Sequence, residues 1–288
     1  MKKEAALTQS EWILKEVNGL PLVFSPLLSR FSELRHAFST RLGGETKPPM
    51  DSFNVGRLVS SSTCRVDLMK NRSKLCCALG LNPETLVVPD MSHSDVVLFV
   101  EEYRHARPKA DGIATATKGL PVLLTFADCV PIIIFDPVKH VVAILHAGWR
   151  GTASNIAAQG VRLLSKHGSR VDNLAAAIGP AIGSCCYPTG LEAASQLLAS
   201  LVEGHALNGD PQALMSTIKK GSLEEFFLIK DDRFHPDLKA INALQLFKAG
   251  VKHVDVTNLC TSCKPDLFYS HRFSEGKAGR QAAVACLN

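Results

Sequence analysis

Chemically active side chains interrupt two apolar runs between residues 123 and 152. Asp128 and Cys129 precede the run VPIIIF, and His146 closes the run VVAILH ahead of Trp149 and Arg150. A thiol next to an imidazole can form a nucleophile with its activating base, provided that a third group orients the ring. The same pair can also bind zinc or copper, provided that a third ligand comes from elsewhere. Both uses remain open at this point.

The two runs predict strands that would bring the thiol and the imidazole together. Short, β-branched segments predict buried strands at 122–126, 130–135 and 141–146. The segment DPVK at 136–139 predicts a turn that joins the last two strands as a hairpin. Counting outward from this turn places Cys129 roughly opposite His146, where paired Cβ atoms are about 5 Å apart.

His93 is the best candidate for a third ligand. It lies in VVPDMSHSDVVLFV, between two strand-like segments and among small polar residues. A catalytic zinc takes three protein ligands and keeps one position open. The set His93, Cys129 and His146 would satisfy that rule.

The remaining pattern indicates an α+β fold. Helices are expected at 151–167 and 236–249, and further strands at 174–179, 253–259 and 280–287. Strands and helices do not alternate strictly, which favours α+β over a doubly wound sheet. No clear linker divides the chain, so residues 1–288 are expected to form one domain.

Composition narrows the class of protein. The 288 residues are 46% hydrophobic and 20% charged, with a formal net charge of +5. Lysine and arginine are scattered, so no nucleic-acid partner is expected. The N-terminus lacks the apolar core of a signal peptide, and the longest apolar stretch is interrupted by charges, so no membrane partner is expected. Nine cysteines without an export signal indicate reduced thiols in the cytoplasm. The oligomeric state is not predicted.

A series of motifs follows one another along nearly the whole chain. They are STRLGG (39–44), DSFNVG (51–56), NR (71–72), ADG (110–112), FADCVPI (126–132), HAGWRGT (146–152), IGPAIG (178–183) and FYSHR (268–272). In this order they resemble the YfiH family, also called the laccase-like or multicopper polyphenol oxidase family. The resemblance implies a single α/β/β/α layered domain with mixed sheets, preceded by an N-terminal extension over about residues 1–20.

The resemblance also implies a site and an activity. The implied metal ligands are His93, Cys129 and His146. The implied activity is phosphorolysis of adenosine, guanosine, inosine and methylthioadenosine, together with adenosine deamination. The family usually has Gln-Val-His-Gly around its first ligand, whereas this chain has MSHSDVV, so only His93 matches there. His105 is the alternative ligand if the alignment shifts.

Other polar residues of the motifs are candidates for catalysis and for substrate binding. Arg41 and Arg150 could bind phosphate, because a guanidinium matches phosphate geometry. Asn54 could bind ribose or base, and Trp149 could stack on a base. Asp128 could carry a proton for deamination, or it could fix a ligand histidine. Zinc is the expected ion, with copper as the alternative.

Three other functions remain as alternatives. One is a Cys-His hydrolase that acts on an amide of a cell-wall precursor, and another is a polyphenol oxidase. The third is a partner-binding protein without catalysis. The Cys-x-x-Cys pair at Cys260 and Cys263 is expected to be structural, because a four-cysteine zinc site would need partners far away in the sequence. The doublets Cys76-Cys77 and Cys185-Cys186 are expected to be inert.

Overall fold

A computed structural model describes residues 11–57, 65–202 and 210–288. Its strands are β1 (Ile13–Val17), β2 (Leu20–Phe24), β3 (Leu34–Ser39), β4 (Val97–Phe99), β5 (Gly112–Thr115), β6 (Val122–Phe126), β7 (Val130–Asp136), β8 (Val141–Ala147), β9 (Ala175–Ile178), β10 (Phe227–Lys230), β11 (Arg233–Pro236), β12 (His253–Val256) and β13 (Gln281–Leu287). Its helices are α1 (Arg65–Ala78), α2 (Trp149–Ala153), α3 (Ile156–Lys166), α4 (Leu191–Ala199), α5 (Pro211–Lys220) and α6 (Leu238–Lys248).

Two large sheets organise these elements. The first has the strand order β1-β2-β3-β13-β6 and is antiparallel throughout. The second has the order β12-β9-β7-β8-β5-β4, in which β12–β9 and β4–β5 are parallel pairs and the other pairs are antiparallel. Strands β10 and β11 form a separate hairpin. This mixture confirms the predicted α+β class.

The two sheets pack face to face between layers of helices. Phe38, Phe126 and Phe135 lie in the apolar cluster between the sheets. Helix α1 covers the outer face of the five-stranded sheet, and α2 to α6 contribute to the cluster outside the six-stranded sheet. Strands β6 to β9 and β13 are buried throughout. A strand covered on both faces reads as a continuous apolar run rather than as an alternating one. The predicted α/β/β/α layering is therefore confirmed.

The central hairpin has a different register from the predicted one. Asp136 pairs with Val141, so the connection spans residues 137–140, and Pro131 rather than Cys129 lies opposite His146. The carboxylate of Asp136 accepts hydrogen bonds from the backbone N–H groups of Val138 and Lys139, which stabilises the longer turn. The shift is two residues. Side chains alternate with a period of two, so Cys129 and His146 remain on the same face.

The predicted helix at 151–167 is two helices. Helix α2 begins at Trp149, and α3 begins at Ile156 after a break at Asn155. Asn155 has a φ of 61°, a left-handed conformation that asparagine tolerates better than most residues. The predicted helix at 236–249 is confirmed as α6.

The predicted N-terminal extension contributes to the fold. Strand β1 forms the edge of the five-stranded sheet, and the indole N–H of Trp12 donates a hydrogen bond of 3.0 Å to Asp255. Residues 1–10 lie outside the described residues. Among the helices described here, none combines the length and the apolar character needed to cross a membrane.

Candidate metal centre

The thiol of Cys129 and the imidazoles of His93 and His146 converge at one end of the central hairpin. One ligand atom from each of the three side chains lies within 4.8 Å of the other two. Cys129 immediately precedes β7, His146 lies at the end of β8, and His93 comes from the loop before β4. His93 is exposed, Cys129 is half-buried and His146 is buried, so the group is open to solvent on the side of His93. We call these three residues the triad.

A single buried carboxylate positions both imidazoles. Asp111, directly before β5, accepts a hydrogen bond of 2.9 Å from Nδ1 of His146. It also accepts bonds from the backbone N–H groups of Ser92, His93 and Ser94, and from the hydroxyl of Ser94. These bonds hold His93 at a φ of 63°, a conformation that is uncommon outside glycine. Asp111 therefore fixes the loop that carries one ring and the orientation of the other.

Glycine at position 148 makes room for this convergence. A Cβ atom there would lie 3.1 Å from Sγ of Cys129 and 3.1 Å from Cδ2 of His93. The chain then turns into α2, for which Gly148 is the N-terminal cap residue. The first glycine of HAGWRG, Gly148, thus leaves the space that the side chains of the triad need.

The electrostatics of the triad favour a thiolate. Burial alone would raise the pKa of Cys129, but the charge of His146 and hydrogen bonds from both imidazoles lower that pKa to about 6. Burial would likewise lower the pKa of His146, but Cys129 and Asp111 raise it to about 9. Burial also opposes ionisation of Asp111, yet hydrogen bonds from His146 and Ser94 keep its pKa below the usual range. A thiolate is the form that nucleophilic attack and metal binding both require.

The donor set fits a bound metal ion. Two imidazoles and one thiolate are ligands that zinc and copper accept, and three protein donors with an open side match the pattern of a catalytic zinc. The Nδ1 of His146 is held by Asp111, which leaves Nε2 for the ion. Metal-binding histidines commonly pair with a carboxylate in this way.

Residues 35–288 match the family model described as multi-copper polyphenol oxidoreductase laccase. The chain is 32% identical over 260 residues to the protein named purine nucleoside phosphorylase YlmD of Bacillus subtilis, covering 86% of each chain. The crystal structure of YlmD from Geobacillus stearothermophilus is 31% identical, with a TM-score of 0.81 over 95% of this chain and 98% of that one. A Bacillus licheniformis protein titled YfiH gives the same values.

The chain belongs to this laccase-like family.

Asp128, the predicted proton carrier next to Cys129, is hydrogen-bonded to neighbouring loops. Its two carboxylate oxygens accept a hydrogen bond of 2.6 Å from the hydroxyl of Thr261 and one of 2.7 Å from the backbone N–H of Arg272. Its φ is 87°, so the backbone turns sharply immediately before Cys129. Asp111, and not Asp128, is the carboxylate that hydrogen-bonds an imidazole of the triad. The sequence signal for Asp111 is the motif ADG (110–112).

Arg41 and Asn54 also bind other parts of the protein. The guanidinium of Arg41 donates to the backbone carbonyls of Asp51 and Pro265. The buried amide of Asn54 accepts hydrogen bonds from the backbone N–H groups of Gly56 and Arg280. Both residues therefore hold loops, and Asn54 acts on the site through Arg280.

Arg150 is the predicted phosphate-binding residue that remains available. It is exposed, its Cζ lies 4.2 Å from the ring centroid of Trp149, and its guanidinium makes no hydrogen bond or ion pair with the described residues. The ring of Trp149 is half-buried against the core and is covered by this guanidinium. His105, the alternative ligand, contacts Tyr103 instead and is not part of the triad.

Three residues near Cys129 were not predicted. The charges of Cys129 and Asp128 act on both Arg280 and Tyr187. Burial lowers the pKa of Arg280 and raises the pKa of Tyr187 to about 12. Arg272 lies with its Cζ 5.1 Å from the ring centroid of Tyr187. Arg272 ends the FYSHR motif, so one of the three had a motif signal, while Tyr187 and Arg280 lie outside the motifs.

Proposed function

We propose that the protein is a metal-dependent purine nucleoside phosphorylase whose catalytic residues are His93, Cys129 and His146. The observation that carries this proposal is the convergence of these three donors on an open side, within a chain that is 32% identical to a protein named purine nucleoside phosphorylase. Zinc is the proposed ion, with copper as the alternative. When bound, it would supply a positive charge that polarises an oxygen of the phosphate or of the nucleoside.

Cationic side chains near Cys129 support phosphate as the second substrate. Arg150 and Arg272 both act electrostatically on Tyr187, and Arg280 feels the charge of Cys129. A guanidinium matches the geometry of a phosphate. We therefore propose that Arg150 binds phosphate next to the triad. Arg272 and Arg280, whose guanidinium groups donate to the backbone carbonyls of neighbouring residues, would add positive charge there.

The reaction exchanges one bond for another. An oxygen of phosphate forms a bond to C1′ of the ribose as the bond between C1′ and the purine nitrogen breaks. The electron pair of that broken bond stays on the purine, which takes up a proton. The hydroxyl of Tyr187 is a donor near Cys129 that stays protonated, because burial raises its pKa to about 12. The proposed substrates are adenosine, guanosine, inosine and methylthioadenosine. The products are the free base and ribose 1-phosphate, or methylthioribose 1-phosphate when methylthioadenosine is the substrate.

Product analysis tests this proposal. The purified protein is incubated with adenosine, and in parallel with each of the other three nucleosides, with and without phosphate, and the products are separated by chromatography. Adenine and ribose 1-phosphate that form only with phosphate support the proposal. Inosine in both reactions would show the deamination that the family resemblance implies, while the absence of turnover with all four nucleosides would overturn the assignment.

Arg150→Ala tests where phosphate binds. We expect KM for phosphate to rise about tenfold, with a smaller change in KM for the nucleoside, since one charged hydrogen-bonding partner is lost. Arg162→Ala is the matched control, because Arg162 is exposed on α3 and donates only to Gln159 among the described residues. Equal changes in both KM values would remove Arg150 from the phosphate site.

A second function is favoured by one observation. Cys129, His146 and Asp111 form a thiol–imidazole–carboxylate chain, which is the arrangement of a Cys-His hydrolase. Such an enzyme would act on an amide, for example of a cell-wall precursor. It predicts amide hydrolysis by metal-free protein and irreversible loss of that activity after alkylation of Cys129. A phosphorylase that needs its metal predicts no activity in metal-free protein before alkylation.

A further inference from the structure

Four cysteines far apart in the sequence meet at a second place in the molecule. Sγ atoms of Cys185, Cys186, Cys260 and Cys263 all lie within 4.8 Å of one another. Sγ of Cys263 lies 3.5 Å from that of Cys185 and 3.3 Å from that of Cys186. All four are free cysteines. We call them the cysteine cluster.

Apolar packing does not explain this convergence. Cys185 and Cys263 are exposed and Cys186 is half-buried, so three of the four thiols bury little apolar surface. A structural cysteine is ordinarily a small hydrophobic residue inside the core. The cluster instead lies where two loops meet, 183–186 after β9 and 260–263 after β12.

From these four thiols we infer a closed, structural zinc site, which goes beyond the proposed phosphorylase activity. In a tetrahedron with Zn–S bonds of about 2.3 Å, the sulfur atoms lie about 3.8 Å apart. The observed contacts of 3.3 and 3.5 Å, within a limit of 4.8 Å, are of this size. A tetrahedral set of four thiolates selects zinc or iron over the harder metals, and a closed set of four protein ligands is typical of structural zinc.

The surroundings of Cys260 suit a metal-bound thiolate. The backbone N–H of Gly183 donates a hydrogen bond of 3.2 Å to its Sγ, and the backbone N–H of Cys263 donates a second one. Outer hydrogen bonds of this kind orient the ligands of metal sites. A Cβ at position 183 would lie 3.2 Å from Sγ of Cys185, so glycine also leaves room for the ligands.

A buried cation balances the charge of the site. Zinc with four thiolates has a net charge of −2. The ammonium group of Lys239 is buried, donates to the carbonyls of Thr257 and Leu259, and feels the charge of Asp237 first and then those of Cys260, Cys185 and Cys263. A buried charge normally needs partners of opposite sign, and a negatively charged zinc–thiolate centre would add to Asp237.

The inferred zinc would tie together two loops that border the triad. Thr261 lies inside the Cys260–Cys263 pair and hydrogen-bonds Asp128, the neighbour of Cys129. Tyr187 directly follows Cys186 and lies near Cys129. The zinc is therefore structural, and its effect on activity is to hold these two residues in place.

Metal analysis of two double variants tests this inference independently of the proposed function. The protein is expressed with zinc and purified under reducing conditions without chelator, and metals are measured per chain. We expect C129A/H146A, which lacks two triad ligands, to keep one zinc ion. C260S/C263S should contain one zinc ion fewer than the wild type. Cys77→Ser, which changes an exposed cysteine outside both sites, should match the wild type.

A second measurement does not depend on the folding of the cluster variant. C129A/H146A is reconstituted with cobalt(II) in place of zinc, and sulfur-to-cobalt charge-transfer absorption is compared with that of a four-thiolate cobalt complex. Absorption of that intensity supports the inference. Absence of bound metal in C129A/H146A, stoichiometric iron instead of zinc, or a disulfide among the four cysteines in freshly purified protein would overturn it.

Discussion

The triad and the cysteine cluster are two groups of soft ligands, and the fold presents them differently. The triad combines one thiol with two imidazoles, has three donors, and is exposed at His93. The cysteine cluster has four sulfur donors, which come from two loops. Three donors leave a coordination position open for chemistry, whereas four donors close the site. The comparison separates a centre that we expect to act on substrate from one that we expect to stabilise the fold.

The charged residues beside the two centres also differ, in the sign of their charge. An anion, Asp111, holds the rings of the triad, whereas the cation Lys239 lies beside the cluster. Two neutral imidazoles and one thiolate around a divalent ion leave a net charge of +1, and four thiolates around the same ion leave −2. Each outer group therefore has the sign that the adjacent centre requires.

The largest expected effect is a crossover between Cys129→Ala and Cys260→Ala. We expect the first variant to lose about a thousandfold in kcat/KM, equivalent to roughly 4 kcal/mol, with little change in thermal stability. The second should lower the free energy of unfolding by several kcal/mol, because a structural metal contributes to folding, with a smaller loss of activity. Phosphorolysis assays and thermal melts measure both quantities.

The control for this crossover is Cys77→Ala, which should change neither quantity. If Cys260→Ala abolished activity without lowering stability, the division of roles between the two centres would be wrong.

A second effect is the dependence of stability on pH. It determines the pH at which the stabilities of the Cys129 and Cys260 variants should be compared. Burial lowers the pKa of His36 from 6.5 to about 4, and its Nε2 accepts a hydrogen bond from the backbone N–H of Ser25. Below pH 6.5 the unfolded chain takes up a proton that the folded chain does not. The free energy of unfolding should therefore fall by about 3 kcal/mol as the pH drops from 6.5 to 4. Below pH 4 His36 should cause little further change.

His36→Gln removes this titration and keeps an acceptor for Ser25. Urea unfolding across pH 4 to 7 should show a shallower slope in the variant than in the wild type. Parallel curves for the two proteins would show that His36 does not contribute the slope. The crossover itself is best measured near pH 7.5, where His36 is neutral in both states.

A third effect concerns the outer group of the triad alone. Asp111→Asn keeps the size of the side chain but cannot accept all the bonds that the carboxylate accepts from Ser92, His93, Ser94 and His146. We expect zinc affinity at the triad to fall by about 10- to 100-fold. Competition with a chelator measures it, and the zinc of the cysteine cluster should stay bound.

Asp172→Asn is the matched control for this variant, because Asp172 is exposed and pairs only with Lys252 among the described residues. Unchanged zinc affinity in Asp111→Asn would mean that the two rings are positioned without the carboxylate.

The sequence predicted the part of the triad that local patterns control. Runs of β-branched residues buried on both faces located β6 to β8 within a residue or two. The side-chain period of two preserved the common face of Cys129 and His146 even though the turn was longer than predicted. Asp111 was not assigned, because its bonds to His146 and to the loop of His93 depend on the pairing of β5 with β8.

The cysteine cluster was missed for a related reason. Each half appeared in the sequence, as a doublet at Cys185-Cys186 and as the Cys260–Cys263 pair. The two loops meet because β9 and β12 are parallel neighbours, so the chain leaves both strands at the same edge of the sheet. Parallel neighbours can be far apart in the sequence, and spacing alone does not reveal such a pair.

The smallest expected effect tests how closely the triad is packed. Gly148→Ala adds a Cβ that would lie 3.1 Å from Sγ of Cys129 and 3.1 Å from Cδ2 of His93. The backbone permits alanine, since φ at this position is −69°. The added carbon must therefore displace the thiol or the ring by a few tenths of an ångström, and we expect zinc affinity at the triad to fall about tenfold.

Gly190→Ala isolates this effect from the loss of a glycine before a helix. Gly190 also caps a helix, with a φ of −71°, but no atom lies within 4 Å of an added Cβ. It should leave both metals bound and kcat/KM unchanged. If Gly148→Ala also left the triad's affinity unchanged, the two rings and the thiol would have room to move. Gly148 would then no longer support the contrast between a tightly packed triad and a cluster that two loops form.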